Sequence, residues 1–556
     1  MIYVLSGIII GCIILILCIA SKKGQDGFKD MPSRVYSIVF PVLLAVFAFL
    51  ITHRVTEIPV PLNVDEAGTA YDAWCIANYH CDRFLYHFPV YFINYGGHGS
   101  SGLYTYLAAI IIKLFGNSVF SVRLPAILLS VISALALSLT IRKELGNTAS
   151  VITMFFFCIL PFSFMHSRWG LDAYLLFPMM IFSVTVFYFA VRHEKTRWFI
   201  LSGVVFGLTL YSYSISFMLV PALLCISLIY LLIIKKITWK NIIALGIPLF
   251  LLAIPLMLML AINNGLIGEI RTRFFTIPQL ISYGVTEVGF TNMINCLKFG
   301  PNNVFYNLFV NDNLLYNVVP RFGTIYYVSI PLFLYGMVLS VKRLIKSVRE
   351  KNISFDLIML SLFFAVLLVS MSIDKTNVNR SSGIYISIIY FLTLGCLEIL
   401  KKSKLAAAVT AVIYLVSFGL FLHYYFTDFS KDLEPDILFA SLSDLDNALD
   451  FVETVYQGEE TVYVLGRSRP YIYTLLSRQV DPYSFNQKMV LSNDDYVKIY
   501  DKYRFRLDAV LPDCIYVLTD LNDIPADIEK HDFSSQQFGS VLVYYPKTAD
   551  SQSEIH

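Results

Sequence analysis

Twelve apolar runs, each near the length that crosses a bilayer, constrain this chain more than any other feature. A helix spanning the hydrocarbon core needs about 20 mostly apolar residues. Such runs fall near residues 2–20, 35–52, 125–141, 148–165, 173–191, 198–212, 214–234, 241–262, 326–341, 355–373, 381–400 and 405–426. No water reaches peptide groups inside a bilayer, so each run must be an α-helix. Hydrophobic residues make up 57% of the 556 residues and charged residues 15%, against about 25% charged in an ordinary soluble domain. That balance excludes a soluble enzyme, a disordered chain and a nucleic-acid-binding domain. The expectation is an α-helical polytopic membrane protein with about 12 transmembrane helices.

The basic residues set the phase of these crossings. Lys22, Lys23, Lys29 and Arg34 fall in the first loop, and Arg142 and Lys143 in the third. Further clusters are Arg192, Lys195 and Arg197; Lys235, Lys236 and Lys240; Lys342, Arg343, Lys346, Arg349 and Lys351; and Lys401, Lys402 and Lys404. Each lands in an alternate loop, as expected of the cytoplasmic side. Both termini and the loops 53–124, 166–172, 263–325 and 374–380 are then extracytoplasmic. Residues 103–115 are apolar but too short to span, and a crossing there would break the phase. They are expected to form an interfacial helix at the outer surface. The first run lacks a basic N-terminal region and a small-residue cleavage site, and reads as an uncleaved anchor.

Charge also divides the chain. Residues 1–427 hold 31 Lys and Arg against 17 Asp and Glu, a net +14, whereas residues 428–556 hold 11 against 23, a net −12. The expected organisation is an N-terminal anchor and cytoplasmic loop over 1–34, a transmembrane module over 35–427, and an acidic extracytoplasmic domain over 428–556. In that tail, residues 461–465 (TVYVL), 514–518 (CIYVL) and 540–545 (SVLVYY) alternate like strands. Residues 438–456 and 494–503 have helical periodicity, so a small α/β domain is expected.

Ionisable groups near a bilayer are costly and call for an explanation. The first outer loop carries Glu57, Asp65, Glu66, Asp72 and Asp82 within 26 residues. Pro59 and Pro61 prevent the preceding span from running on, and Asn63 or Asp65 can cap a new helix. Asp65 and Asp72, seven apart, share one helical face, while Glu66 points elsewhere. The plain alternative is that Asp65 and Glu66 only cap and solvate a surface helix. Asp172 closes a second outer turn, residues 166–172 (HSRWGLD), and Arg380 ends a third, residues 374–380 (DKTNVNR). Acids from two loops and an arginine from a third suit group transfer on a phosphate ester. The carboxylate takes a proton from the nucleophile, and the guanidinium holds the departing phosphate bidentately. Competing readings are an Asp172–Arg168 ion pair at i−4 and an Arg380 that snorkels to headgroups.

His80, His87 and His98 with Asp65 and Asp72 could hold a divalent metal, though no ligand spacing is diagnostic. Cys75 and Cys81 could pair if their loop faces an oxidising space. Arg271, Arg273 and Lys375 are further outer-side cations able to steer an anionic substrate or simply to sit at the interface.

One resemblance draws these residues together. Asp65-Glu66-Ala67 and Tyr71-Asp72-Ala73 after a first core helix, then residues 97–104 (GHGSSGLY), 113–116 (KLFG), 123–125 (RLP), 166–172 and 377–380 (NVNR), resemble the polyprenyl-phosphate-dependent GT-C glycosyltransferases. The closest likeness is to the bacterial relatives of protein O-mannosyltransferases and of the aminoarabinose lipid A transferase. It covers roughly residues 40–400. The resemblance implies a GT-C type helical membrane fold with Asp65 as general base of an inverting transfer, Glu66 its companion and Asp172 the second acid. Arg380 is implied against the lipid phosphate, and residues 103–115 as the surface-lying helix. Asp72, His166, Arg168 and Lys375 complete the candidate substrate-binding set. The implied partners are a polyprenyl-phosphate-linked sugar donor, membrane lipid, and an acceptor glycan, lipid or protein. No organic cofactor is called for. A flippase or transporter of lipid-linked saccharide would instead show charges inside spans and related halves; the span interiors are nearly free of charge and no halves repeat. A third reading is a non-catalytic envelope assembly protein that uses the tail as a binding module.

Overall fold

The computed structural model describes residues 2–20, 28–59, 62–280, 317–350, 352–373, 377–437, 442–455, 460–466, 469–491, 497–520 and 524–547. A helix stands at each of the twelve apolar runs: Ile2–Ala20, Ser33–Thr52, Val119–Leu145, Asn147–Ile159, Asp172–His193, Thr196–Thr209, Ser216–Ile233, Trp239–Asn263, Ser329–Arg349, Phe355–Met371, Ile384–Lys402 and Lys404–Thr427. Among the described residues, seven of these are long and apolar enough to cross a membrane. The run 148–165 differs from expectation, because it is two helices. Pro161 forces Leu160 into an extended conformation and starts a separate short helix, Pro161–His166.

The chain forms two compact units: Met1–His53, Ala126–Met257 and Gly284–Thr427 in one, and Arg54–Pro125, Leu258–Tyr283 and Asp428–His556 in the other. The second unit therefore gathers the opening loop and the tail, which are far apart in sequence.

In the first unit, helices Ser329–Arg349 and Ile384–Lys402 pack closely. Gly336 makes this possible, since a Cβ there would collide with the backbone carbonyl of Phe391. A Cβ on Gly395 would stand 2.7 Å from the Leu332 carbonyl oxygen. Helix Ile2–Ala20 packs against Ser329–Arg349 as well.

The second unit contains a seven-stranded sheet. Its order is Phe533–Phe538, Val541–Pro546, Ile515–Leu518, Val462–Leu465, Tyr503–Arg504, Val497–Tyr500, Met489–Leu491. Val462–Leu465 pairs in parallel with Ile515–Leu518, from Val462↔Ile515 to Leu465↔Leu518, and with Tyr503–Arg504; the other pairings are antiparallel. The three tail strands and the helix Leu442–Val455 lie where periodicity puts them. Of residues 494–503, those from 497 on depart from the helical expectation, for Val497–Tyr500 is a strand, and 494–496 lie outside the described residues. Asp501 has φ +52°, and Tyr500 pairs with Tyr503 across a two-residue turn. That left-handed turn closes a hairpin that a short mixed-polarity run does not reveal.

The opening loop carries helix Val64–Tyr79, a short hairpin pairing Tyr91–Ile93 with Gly99–Ser101, and helix Gly102–Phe115. The last buries Tyr104, Thr105, Ala108 and Ile112 at helical spacing and exposes Ile110, Leu114 and Phe115. That outward apolar face has the character of an interfacial helix.

Candidate active site

Helix Val64–Tyr79 begins with a capping box. Asn63 Oδ1 accepts from the Glu66 amide at 2.8 Å, and Glu66 Oε2 accepts from the Asn63 amide at 3.2 Å. Asn63, not Asp65, is therefore the cap. With its own side chain unneeded for capping, Asp65 occupies the first turn, where the helix dipole favours a carboxylate.

The other acids of the loop are committed elsewhere. Glu66 is fully buried and receives Arg123 through Nε at 2.8 Å and Nη2 at 2.6 Å. Arg123 also donates to the Val55 carbonyl at 2.5 Å. Asp72 receives Arg83 Nε at 2.9 Å, Nη2 at 2.6 Å and the Arg83 amide at 3.1 Å. Arg83 Nη2 continues to the Gly68 carbonyl at 3.0 Å. A Cβ on Gly68 would sit 2.9 Å from that nitrogen and 2.6 Å from the Tyr95 hydroxyl, so any larger residue there would have to push those two side chains aside. Asp82 Oδ1 accepts from the amides of Phe84 and Tyr86, each at 2.9 Å. Exposed Glu57 pairs with Arg54 at 2.9 Å.

Asp65 is the exception. Its side chain is open to solvent, and among the described residues it makes no ion pair or hydrogen bond through its carboxylate. The surrounding protein is nonetheless dense. Burial first, and then the adjacent Glu66, raise its pKa above the ordinary aspartate value, while Arg469 and Arg83 pull it down.

Two of the charges acting on Asp65 were not expected from sequence. Arg83 is a bare arginine in a polar loop. Arg469 lies some 400 residues downstream, its guanidinium 4.8 Å above the Tyr95 ring. It arrives because helix Pro470–Ser477 packs on Val64–Tyr79, fixed by Tyr473 Oη to the Leu62 carbonyl at 3.3 Å and Tyr71 Oη to the Val480 carbonyl at 2.7 Å. Arg123 was in view as part of an RLP motif, but its pairing with Glu66 was not.

The remaining candidates lie in the first unit. Asp172 opens helix Asp172–His193, its Oδ1 accepting from the Ala173 amide at 2.7 Å. Buried Arg168 donates to the Leu50 and Ile51 carbonyls at 3.0 and 3.1 Å and to the Tyr425 hydroxyl at 3.1 Å. It thereby ties the turn to the ends of two helices. His166 is buried, its ring centroid 3.9 Å from that of Phe162 and 4.1 Å from that of Tyr174. Arg380 is half-buried in the short helix Val378–Ser381, capped by Asn377 Oδ1 accepting the Arg380 amide at 2.9 Å. That helix packs against Asp172–His193, which brings the element of Arg380 to the element of Asp172. Lys375 lies outside the described residues. Among the described residues no three of His, Cys, Asp and Glu come together to hold a metal, and Cys75 and Cys81 are buried free thiols.

The fold has known counterparts. A solved structure of ArnT from Cupriavidus metallidurans, bound to undecaprenyl phosphate, is similar over 92% of this chain and 98% of its own, at 11% identity and a TM-score of 0.51. An oligosaccharyltransferase from Archaeoglobus fulgidus is similar over 80% of this chain and 63% of its own, at 14% identity and a TM-score of 0.46. Arabinosyltransferase EmbB from Mycobacterium smegmatis is similar over 77% and 44%, at 12% identity and a TM-score of 0.33. The family model described as dolichyl-phosphate-mannose-protein mannosyltransferase matches residues 101–260. No curated protein sequence matches the chain. Residues 101–260 thus carry the likeness to that family model, and the fold as a whole is similar to that of ArnT along nearly the entire chain.

Proposed function

We propose that the protein is an inverting glycosyltransferase that moves a sugar from a polyprenyl-phosphate carrier to an acceptor hydroxyl at the outer face of the membrane. Asp65 takes the hydroxyl proton as the acceptor oxygen bonds to the anomeric carbon. The bond from that carbon to the carrier phosphate breaks, and the phosphate departs as an anion. Arg380 holds that phosphate, with Lys375 as a second cation, and Asp172 orients the acceptor. Glu66 and Asp72 act through position, by anchoring the helix that presents Asp65.

The observation that carries this reading is the division of labour among the five acids of one loop. Four are tied to arginines or backbone amides, and one is reachable with a raised pKa. A general base near the operating pH needs a raised carboxylate pKa. ArnT was solved with undecaprenyl phosphate bound, which supports the carrier class.

Membranes or purified protein incubated with a panel of polyprenyl-phosphate sugars, with products identified by mass spectrometry, test the activity. Asp65→Asn is expected to lower turnover by about 10²-fold or more while insertion and melting temperature hold. Undiminished turnover in that variant overturns the assignment.

A further inference from the structure

We propose that the first unit carries a binding site for an anionic phospholipid, formed by helices Ser329–Arg349 and Ile384–Lys402. It uses none of the residues assigned to sugar transfer. A pocket of about 270 Å³ lies there, with Lys342, Arg343, Lys346 and Lys401 contributing four cations to its lining. Lys342 and Lys346 are exposed and one helical turn apart. The lining holds a single carboxylate, Glu398, which is 3.7 Å from Lys402. Arg343 shares its charge with buried Asp356, its Nε donating to Oδ2 at 3.0 Å, and Lys346 lies 3.7 Å from Glu350. Cations remain in excess at the pocket mouth.

The rest of the lining is apolar, from Leu145, Leu339, Leu394 and Leu397. Along the same helix, Val338, Val341 and Ile345 are exposed, a track on which a hydrocarbon tail can lie. A soluble polyanion has no use for four leucines, and a neutral lipid none for four cations. A phosphate diester joined to an acyl chain satisfies both halves. The cations also belong to clusters that the positive-inside phase assigns to the cytoplasmic side, whose leaflet supplies such lipids, and basic pockets between membrane helices on that side take anionic headgroups.

The test uses the full-length protein in neutral detergent, with native mass spectrometry of retained lipid on titration with phosphatidylglycerol or phosphatidylcholine. Phosphatidylglycerol is expected to be retained and phosphatidylcholine lost. The triple change K342Q/K346Q/K401Q is expected to weaken phosphatidylglycerol binding on the order of a hundredfold, and K342R/K346R/K401R to preserve it. Equal retention of both lipids, or equal binding by the triple glutamine variant, means ordinary boundary lipid and overturns the proposal. So does displacement by equimolar glycerol 3-phosphate, which would mark a free-phosphate site. Should the triple variant not fold, K342Q alone is expected to weaken binding about fivefold, and no change overturns the proposal equally.

Discussion

At the scale of the residue, the sequence shows which acids are present but not which are occupied. Asp65, Glu66 and Asp72 lie on one short helix, and the arginines that meet Glu66 and Asp72 set those two apart from Asp65. Arg469 supplies a sharper test than removal of the base. It lowers the pKa of Asp65, so Arg469→Gln should raise it further. The base must be ionised to accept a proton, so the acid limb of the pH profile of kcat/KM should move to higher pH with the plateau retained. An unmoved limb would separate Asp65 from that limb. Asp82 tests the same physics through stability. Burial, and then the charge of Asp72, hold its pKa above the usual carboxylate range. The folded state therefore binds this proton more tightly than the unfolded chain does. Its contribution to stability is favourable at low pH and is lost as pH rises from about 4 through the raised folded value. Asp82→Asn keeps an acceptor for the Phe84 and Tyr86 amides, so its melting temperature should gain on the parent as pH rises from 5 to 8. A pH-independent difference would contradict the raised value.

At the scale of the element, legibility follows the range of the forces involved. The apolar runs were readable because each helix is dictated by its own composition, and the strands at 461–465, 514–518 and 540–545 because alternation is local. Residues 494–503 misled because a two-residue turn with Asp501 in the left-handed region, rather than the period of the run, decides the hairpin. Residues 148–165 misled because one proline outweighs an apolar run that is otherwise continuous. Helix pairing is the least legible, since it depends on where backbones touch. Gly336 marks such a place, and the collision of a Cβ with the Phe391 carbonyl cannot be relieved by a rotamer change. Gly336→Ala should therefore destabilise the first unit by about 1–3 kcal/mol, seen as a lower melting temperature in detergent. Gly246→Ala, where nothing lies within 4 Å of the added carbon, is the control and should leave it unchanged.

At the scale of the whole molecule, the charge division at residue 427 is visible in composition, but the partnership of the acidic tail with the opening loop is not. Its contacts join residues hundreds of positions apart: Tyr71 with Val480, Tyr473 with Leu62, Asn486 Nδ2 with the Arg83 carbonyl at 2.7 Å, and Ser430 Oγ with the Pro59 carbonyl at 2.5 Å. No local pattern encodes such pairs. The net charge of −12 also conceals Arg469, a cation delivered beside the proposed base. The tail is thus part of the unit that presents Asp65. A chain ending at Thr427 would lose Arg469, the partner of the buried Tyr71 hydroxyl and the helix that covers Val64–Tyr79. The apolar residues of Val64–Tyr79 that the tail covers would then face water and lose their burial. The shortened chain is expected to insert through its membrane helices, yet amide hydrogen exchange across Val64–Tyr79 should accelerate relative to the full protein, with sugar transfer lost. Unchanged protection of that helix would show that the loop holds its own structure and that the tail serves another end.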